Sequence, residues 1–437
     1  MRIMSNELAN KISKSATIKG WLHKKRAMGG INFINVRDRA GLVQIVVEDK
    51  TEVEKLRGMQ IGTILEITGK VVKEDRAPGG VELHSPNITI LVPVLDEPLI
   101  EIDKPLSHKS ENLETLFDNR PIGLRNLQEN AIFKIQSAIC KSIRNYFYEN
   151  DFTEMHTPKL LAEATEGGAE VFTLPYFEKT ATLAQSPQFY KQMMVGVFER
   201  VFEIAPVFRA ELSATTRHMS EYTSVDGEMG FIDLKDLENF LSGLLNRVAD
   251  DIWAQYEPEL KKWNSSKPIL PKSIPEITIK EVHELYRKAT KEDFTNEDDL
   301  APAEEKWICD WAKKNLQSEA IFITGWSAKS KTFKFYHRAN KENPEIADRA
   351  DLLFRGVEIV TLSMRENHYE KVVKQMKEKG HNPNDSGFAP LLSAMKYGMP
   401  SHGGFGLGLE RLTQRIIGLN NVKEATLFPR DINRLTP

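Results

Sequence analysis

Apolar and polar positions alternate in two registers along this chain. Residues 16–93 carry short alternating runs, ATIKGWLH, INFINVRD, LVQIVVED, TILEITGKVVKE and VELHSPNITILV, separated by glycine and proline turns. Strands alternate because successive side chains point to opposite faces, and five such strands in one stretch predict a small closed barrel. Residues 94–125 hold scattered prolines and charge and read as a linker. Asn126–Asn150 then switches to helical spacing, with Ile132, Ile135, Ile139 and Ile143 forming one stripe and Ala138 and Phe147 beside it. Val201–Met229 reads as strand, long loop, strand. Three helical stretches follow, LENFLSGLLNRVADDIW, ITIKEVHELYRKA and LAPAEEKWICDWAKKNL, then a buried strand, EAIFITGW. DLLFRGVEIVTLSMR at 351–365 reads as one further strand.

The length of 437 residues predicts two or three domains, and 41% apolar with 28% charged residues fits an ordinary globular protein. No run of eighteen apolar residues occurs, so no transmembrane helix is expected, and MRIMSNELANKIS lacks a signal-peptide core; a cytoplasmic protein is the expectation. Cys140 and Cys309 lie far apart and outside any CxxC, which indicates neither a disulfide framework nor a zinc site. The net charge of −3 argues against a globally basic nucleic-acid binder. Residues 1–50 are locally basic, with ten Lys/Arg against four Asp/Glu. Such a surface suits an RNA contact and is equally consistent with chance clustering.

The candidate chemistry starts in the loop RAELSATTRHMS. It holds Arg209, Glu211, Arg217 and His218 and has no turn-forming Gly or Pro. Two guanidinium forks reaching into one space suit a polyphosphate; the plain alternative is a solvated hairpin with surface ion pairs. FRAE, then TTRH, then EYTSVDGEM resembles motif 2 of the class II aminoacyl-tRNA synthetases, in the aspartyl/asparaginyl group. Other segments are similar to the same family in the same order. They are the barrel segment GWLHKKRAMGGINFINVRDRAGLVQIVV, FTEMHTPKLL as motif 1, the pocket signature LAQSPQFYKQMM, HGGFGLGLERLTQRI as motif 3, and the ending FPRDINRLTP.

The resemblance implies an α+β protein. An N-terminal OB-fold, an anticodon-binding barrel, would span 1–103, a hinge 104–130, and a class II catalytic domain with an antiparallel sheet flanked by helices 131–437. It implies ATP and Mg²⁺ as cofactors, and L-aspartate and tRNA(Asp) as substrates. Arg209 would hold the α-phosphate and Arg411 the γ-phosphate. Glu211, Arg217, His218, Met219, Tyr222 and Gly408 would complete the nucleotide site. Glu166, Gln188, Lys191, Asp226, Thr361 and Arg365 would bind aspartate, and Asp351, Glu358 and Thr361 the metal. Anticodon contacts fall on His23, Phe33, Gln44, Glu82 and Pro86, and a homodimer contact on Pro158. In this family a His at position 23 and a Pro at 86 go with charging of tRNA(Asn) as well, which requires an amidotransferase downstream.

Physical reasoning on the residues bears on this at three points. A lysine at 191 inside a closed pocket needs a carboxylate partner, which favours aspartate over asparagine. Asp351 and Glu358 are seven apart, an odd spacing that puts them on opposite faces of one strand unless Gly356 supplies a bend or bulge. Glycines 403, 404, 406 and 408 permit close backbone approach to a nucleotide. Two segments depart from the family pattern. VTLSM at 360–364 stands where small residues are usual, so Leu362 and Met364 are expected to crowd the pocket. SAKSKTFKFYH matches imperfectly. Three rivals therefore stand beside aspartate–tRNA ligation: an asparaginyl enzyme, a paralogue passing aspartyl-adenylate to a non-tRNA acceptor, and a catalytically inactive RNA-binding scaffold.

Overall fold

The computed structural model describes residues 2–28, 31–106, 110–162, 170–212 and 215–437. The chain divides into two compact units, Met1–Asn130 and Ala131–Pro437.

In the first unit β1 (Ser15–Met28), β2 (Ile31–Arg37), β3 (Leu42–Val47), β4 (Ile64–Lys73) and β5 (Val81–Val92) close a barrel in the order β1-β2-β3-β5-β4. Alternation does what the sequence predicts: Ile34, Val36, Val43, Ile45, Leu65, Ile67 and Leu83 fill the interior. A helix that the strand pattern does not reveal, α1 (Lys50–Leu56), lies between β3 and β4, and Asp49 caps it by accepting from the backbone of Thr51 and Glu52. The segment expected to be a hinge carries α2 (Ser110–Asp118) and α3 (Arg120–Gly123). Ile100, Leu113, Leu116 and Phe117 bury one another there. Scattered prolines mask this short amphipathic pattern.

The second unit is built on α4 (Leu127–Glu149), whose stripe Ile132, Ile135, Ile139, Ile143 and Phe147 is fully buried. The chain continues through β6 (Thr153–Glu154), β7 (Leu160–Leu161), β8 (Thr173–Tyr176), β9 (Lys179–Leu183), α5 (Gln188–Phe198), β10 (Arg200–Phe208) and β11 (Glu221–Gly230). After α6 (Leu234–Lys262) come β12 (Glu276–Thr278), α7 (Ile279–Thr290), α8 (Pro302–Leu316), β13 (Ala320–Thr324), β14 (Arg349–Phe354) and β15 (Val357–Met364). The last elements are α9 (Tyr369–Glu378), α10 (Ala389–Lys396), β16 (His402–Gly408) and α11 (Leu409–Ile417). Eight strands form one sheet in the order β12-β13-β14-β15-β16-β11-β10-β6. Its interior pairs are antiparallel, but both edge pairs, β12–β13 and β10–β6, are parallel. The sheet is therefore mixed, not wholly antiparallel.

The segment 351–365 is not one strand. The chain reverses at Arg355 and Gly356, both with positive φ (49° and 84°), and β14 pairs antiparallel with β15. Two consecutive positive-φ residues match the twist of the strands they join. The register shifts opposite Leu352 and Leu353, leaving Ile359 without a cross-strand partner. That extra residue brings Glu358 onto the face that carries Thr361.

Candidate active site

One face of β11, β16 and β15 packs on α4 and α6 through Val225, Met229, Phe405, Leu407, Val360, Leu362 and Met364. The opposite face carries the chemistry. On β11 it presents Ser224, Asp226 and Glu228. Their cross-strand partners on β16 are Gly408, Gly406 and Gly404. On β15, Thr361 and Ser363 lie opposite Gly406 and Gly404. Leu362 and Met364 are fully buried in the helix-side core, so the expected crowding of the pocket does not occur; strand alternation sends the bulky residues the other way. The four glycines also divide. Gly406 and Gly408 line the cavity. A methyl on Gly404 would overlap the Glu228 carboxylate, and one on Gly403 would meet Met364 and Leu237. These two serve internal packing instead of nucleotide approach.

Over this face lies a cavity of about 400 Å³. At one end, α5 inserts Lys191, which is 2% exposed. Its Nζ donates to Asp226 Oδ1 (2.9 Å) and to the Phe405 carbonyl (3.0 Å), and lies 3.6 Å from Glu228. Arg365, also buried, donates from Nε and Nη2 to the two oxygens of Glu228 (2.7 and 3.1 Å) and from Nη1 to Ser363. Burial alone would raise the Glu228 carboxyl, but Arg365 and Lys191 outweigh it and hold it below the usual carboxylate range. Gln188 is buried beside Lys191, and its Nε2 has no hydrogen-bond partner. Glu228 is missing from the site that the sequence predicts. The signal for it is its position two residues after Asp226, hence on the same face of β11.

Of the acidic pair, Glu358 lines the cavity, whereas Asp351 is buried beside it and is not part of the lining. Asp351 and Thr361 are cross-strand partners, and Thr361 Oγ1 donates to Glu358 Oε1 (2.7 Å). Arg349 donates from Nη2 to Asp351 Oδ2 (2.8 Å). Asp351 Oδ1 is buried without a hydrogen-bond partner, and burial, with Glu358 adding to it, pushes this carboxyl up to about 7 against the pull of Arg349. An unpartnered carboxylate oxygen beside Glu358 and a threonine hydroxyl is a hard oxygen donor set, and it fits Mg²⁺. Among the described residues no group of three or more His, Cys, Asp or Glu forms a ready-made metal cluster.

The far end is cationic. Arg411, on α11, donates to the Glu358 carbonyl (2.9 Å) and stands 3.9 Å from its carboxylate. Arg209 lies over the Tyr222 ring at 5.6 Å from the centroid. Arg217 is held on the Gly356 carbonyl (2.9 Å) and by Glu305 of α8 (3.1 Å). His218 shares a 2.8 Å hydrogen bond with Thr215. Burial lowers its pKa, with Arg411, Arg209 and Arg217 reinforcing the effect and Glu211 opposing it. Met219 is buried against Thr426, and Ser220 donates to the Arg430 carbonyl, which ties the C-terminal segment to this loop. Glu410, unremarked in sequence, accepts the Thr223 N–H through both oxygens and is pushed up to about 7 by burial. Lys334, Tyr336, His337 and Arg349 also face the cavity, and no periodic signal marks them because they come from the irregular segment 325–348 and a strand end. Seven Lys/Arg against four Asp/Glu line the cavity, so it suits an anionic ligand. Arg209, Glu211, Arg217, His218, Met219, Tyr222, Gln188, Lys191, Asp226, Glu358, Thr361, Arg365, Gly408 and Arg411 all line it. Glu166 lies outside the described residues.

A second surface lies on the barrel. Lys24, Asn35, Gln44 and Glu82 form a row across four strands. Gln44 Nε2 donates to Glu82 (2.5 Å), which also pairs with His84 (3.0 Å). Phe33 is half-buried with Arg26 over its ring. His23 and Pro86 are buried, at strand irregularities of β1 and β5; they set the shape of the wall and present little surface of their own.

A family model described as tRNA synthetases class II (D, K and N) matches residues 112–432, and one described as OB-fold nucleic acid binding domain matches residues 16–91. The chain belongs to the class II tRNA synthetases (D, K and N). A relative in Thermus thermophilus named aspartate–tRNA(Asp/Asn) ligase is 38% identical over 441 residues, covering 100% of both chains. An aspartate–tRNA(Asp) ligase of Pyrococcus horikoshii is 38% identical, covering 99% of each. Among solved structures, the asparaginyl-tRNA synthetase of Pyrococcus horikoshii complexed with asparaginyl-adenylate superposes with a TM-score of 0.91 at 27% identity, over 100% of both chains. The aspartyl-tRNA synthetase of Entamoeba histolytica gives 0.85 at 27% identity, over 100% of this chain and 93% of that one. The synthetase is an ATP-using enzyme of the aminoacyl-tRNA ligase class by this membership. Among its described residues no helix is long and apolar enough to cross a membrane.

Proposed function

We propose that the chain is an aspartate–tRNA ligase, joining L-aspartate to tRNA(Asp) through aspartyl-adenylate. The observation that carries this is the buried pair of cations, Lys191 and Arg365, joined through Glu228 at one end of a cavity lined by more cations than anions. A site for the neutral amide of asparagine has no need of both charges. The relatives named for aspartate span the whole chain, which supports the same choice although the asparaginyl fold is close.

On this reading Gln188, Lys191 and Arg365 select the side-chain carboxylate, and Asp226 and Glu166 take the ammonium. The α-carboxylate then attacks the α-phosphate of ATP in line, with pyrophosphate leaving. Arg209 holds the α-phosphate and Arg411 the γ-phosphate. Glu211, Arg217, His218, Met219, Tyr222 and Gly408 orient the nucleotide. Asp351, Glu358 and Thr361 would hold Mg²⁺, which would neutralise phosphate charge. No side chain becomes covalently modified; the rate comes from positioning and charge stabilisation. A hydroxyl at the 3′ end of tRNA then attacks the adenylate's carbonyl carbon, forming the aspartyl ester and releasing AMP; the anticodon of that tRNA meets Phe33, Gln44 and Glu82, with His23 and Pro86 shaping that surface. The enzyme works in the cytoplasm as a homodimer, with Pro158 at the subunit contact. Its range includes tRNA(Asn), for which an amidotransferase completes the product.

Pyrophosphate exchange with aspartate and asparagine separately tests the amino acid; exchange with asparagine alone overturns the assignment. Charging of each tRNA tests the acceptor. Strict preference for tRNA(Asp) ends the tRNA(Asn) part, and adenylate formation without transfer to either points to a non-tRNA acceptor.

A further inference from the structure

Arg349 has no part in the reading above, yet it faces the cavity and pairs directly with Asp351, while Arg411 stands nearest Glu358. Three contacts fix its guanidinium. Nη2 donates to Asp351 Oδ2 (2.8 Å), Nη1 donates to Thr332 Oγ1 (2.8 Å), and the plane lies over the Trp326 ring, 4.5 Å from its centroid. The Arg349 and Asp351 side chains are 11% and 4% exposed. A cation placed this way occupies one of the two oxygens that Asp351 has to offer, and its charge repels any second cation brought to the other. The chain thus carries a positive charge where the acidic pair would otherwise attract metal.

We infer that Arg349 is a built-in counter-cation for Asp351 and Glu358, so that divalent metal enters the site together with the triphosphate and not before it. The inference rests on the reading of the acidic pair as the metal site. Once a triphosphate lies in the cavity, its oxygens supply both the missing ligands for the metal and a further anionic partner that offsets the guanidinium charge. Nucleotide-free protein would therefore bind divalent metal weakly, and metal and ATP would bind with positive coupling.

The test is a Mn²⁺ titration of the nucleotide-free, full-length protein followed by electron paramagnetic resonance of the free ion, with no turnover involved. Arg349→Met is expected to bind one Mn²⁺ at least about tenfold more tightly than the unmodified chain, because the competing charge is gone. Adding Asp351→Asn to that variant should abolish the gain. Arg349→Lys, which keeps a charge but loses the fork and should fold even if Arg349→Met does not, is expected to fall between. Unchanged Mn²⁺ affinity in both Arg349 variants overturns the inference when Asp351→Asn or Glu358→Gln still weakens binding. Binding indifferent to Asp351→Asn and Glu358→Gln alike overturns the metal-site reading itself, a distinguishable failure.

Discussion

Arg365 grips Glu228 through two parallel hydrogen bonds, Nε to Oε1 at 2.7 Å and Nη2 to Oε2 at 3.1 Å, with both residues buried. Neither residue is free to choose another rotamer while the pair is intact. Glu228 also stands 3.6 Å from Lys191, so one carboxylate aligns both cations assigned to aspartate. Glu228→Gln keeps the shape and removes the charge. It should raise the KM for aspartate by at least about 30-fold, from a loss of ~2 kcal/mol or more at a buried charge pair. The KM for ATP should change little. Equal effects on both constants, measured by pyrophosphate exchange, would count against a positioning role.

The space for that carboxylate is supplied by a neighbouring strand. A methyl on Gly404 would overlap Glu228. Gly404→Ala should therefore destabilise the second unit by ~1–3 kcal/mol, typical of overpacking, and impair aspartate use. The contrast is Gly406→Ala, where the new methyl would sit at ordinary contact distance, 3.6 Å from Asp226 Oδ1. Urea midpoints of the two variants separate the cases.

β15 gives a second separable pair. Leu362 is fully buried on the helix side, whereas Thr361 hydrogen-bonds Glu358 on the cavity side. Leu362→Ala should cost ~2–5 kcal/mol of stability with substrate constants nearly unchanged at permissive temperature. Thr361→Val should do the reverse, weakening metal-dependent ATP use while the thermal midpoint moves little.

Glu410 offers a pH test. Burial pushes its carboxyl from 4.5 to about 7. Below 4.5 the group is protonated in both the folded and the unfolded chain. Between 4.5 and 7 the unfolded chain releases the proton while the folded chain retains it, so this group's contribution to stability falls as pH rises, then levels off. Glu410→Gln removes the slope. Its stability relative to the unmodified chain should climb through that window, by ~1.4 kcal/mol for each pH step of one and a few kcal/mol at most. A pH-independent difference in urea midpoint would contradict the assignment.

Much of this site is legible in the sequence, for reasons that differ by element. Helical and strand periodicity mark α4 and the barrel strands, because each has one buried face. Arg209, Lys191 and Arg411 stand out through motifs whose chemistry requires fixed side chains near the ends of regular elements. Periodicity is silent on segment 325–348, so nothing there singles out Tyr336 and His337. Glu228 is different, since strand alternation alone places it beside Asp226. The expected crowding by Leu362 and Met364 fails for the opposite reason. Side-chain volume says nothing of which face of β15 a residue occupies.

The unpaired Ile359 carries a consequence for how this region can change. Glu358 and Thr361 are three residues apart, and they look the same way because the bulge takes up the odd residue. Deleting Ile359 would leave them two residues apart in an unbroken ladder, still on one face, whereas straightening β15 with all its residues kept would turn one of them towards the helices. A hairpin shortened by its one unpaired residue would therefore present the same two side chains to the cavity, and loss of Ile359 should be tolerated better than its retention in a straightened strand.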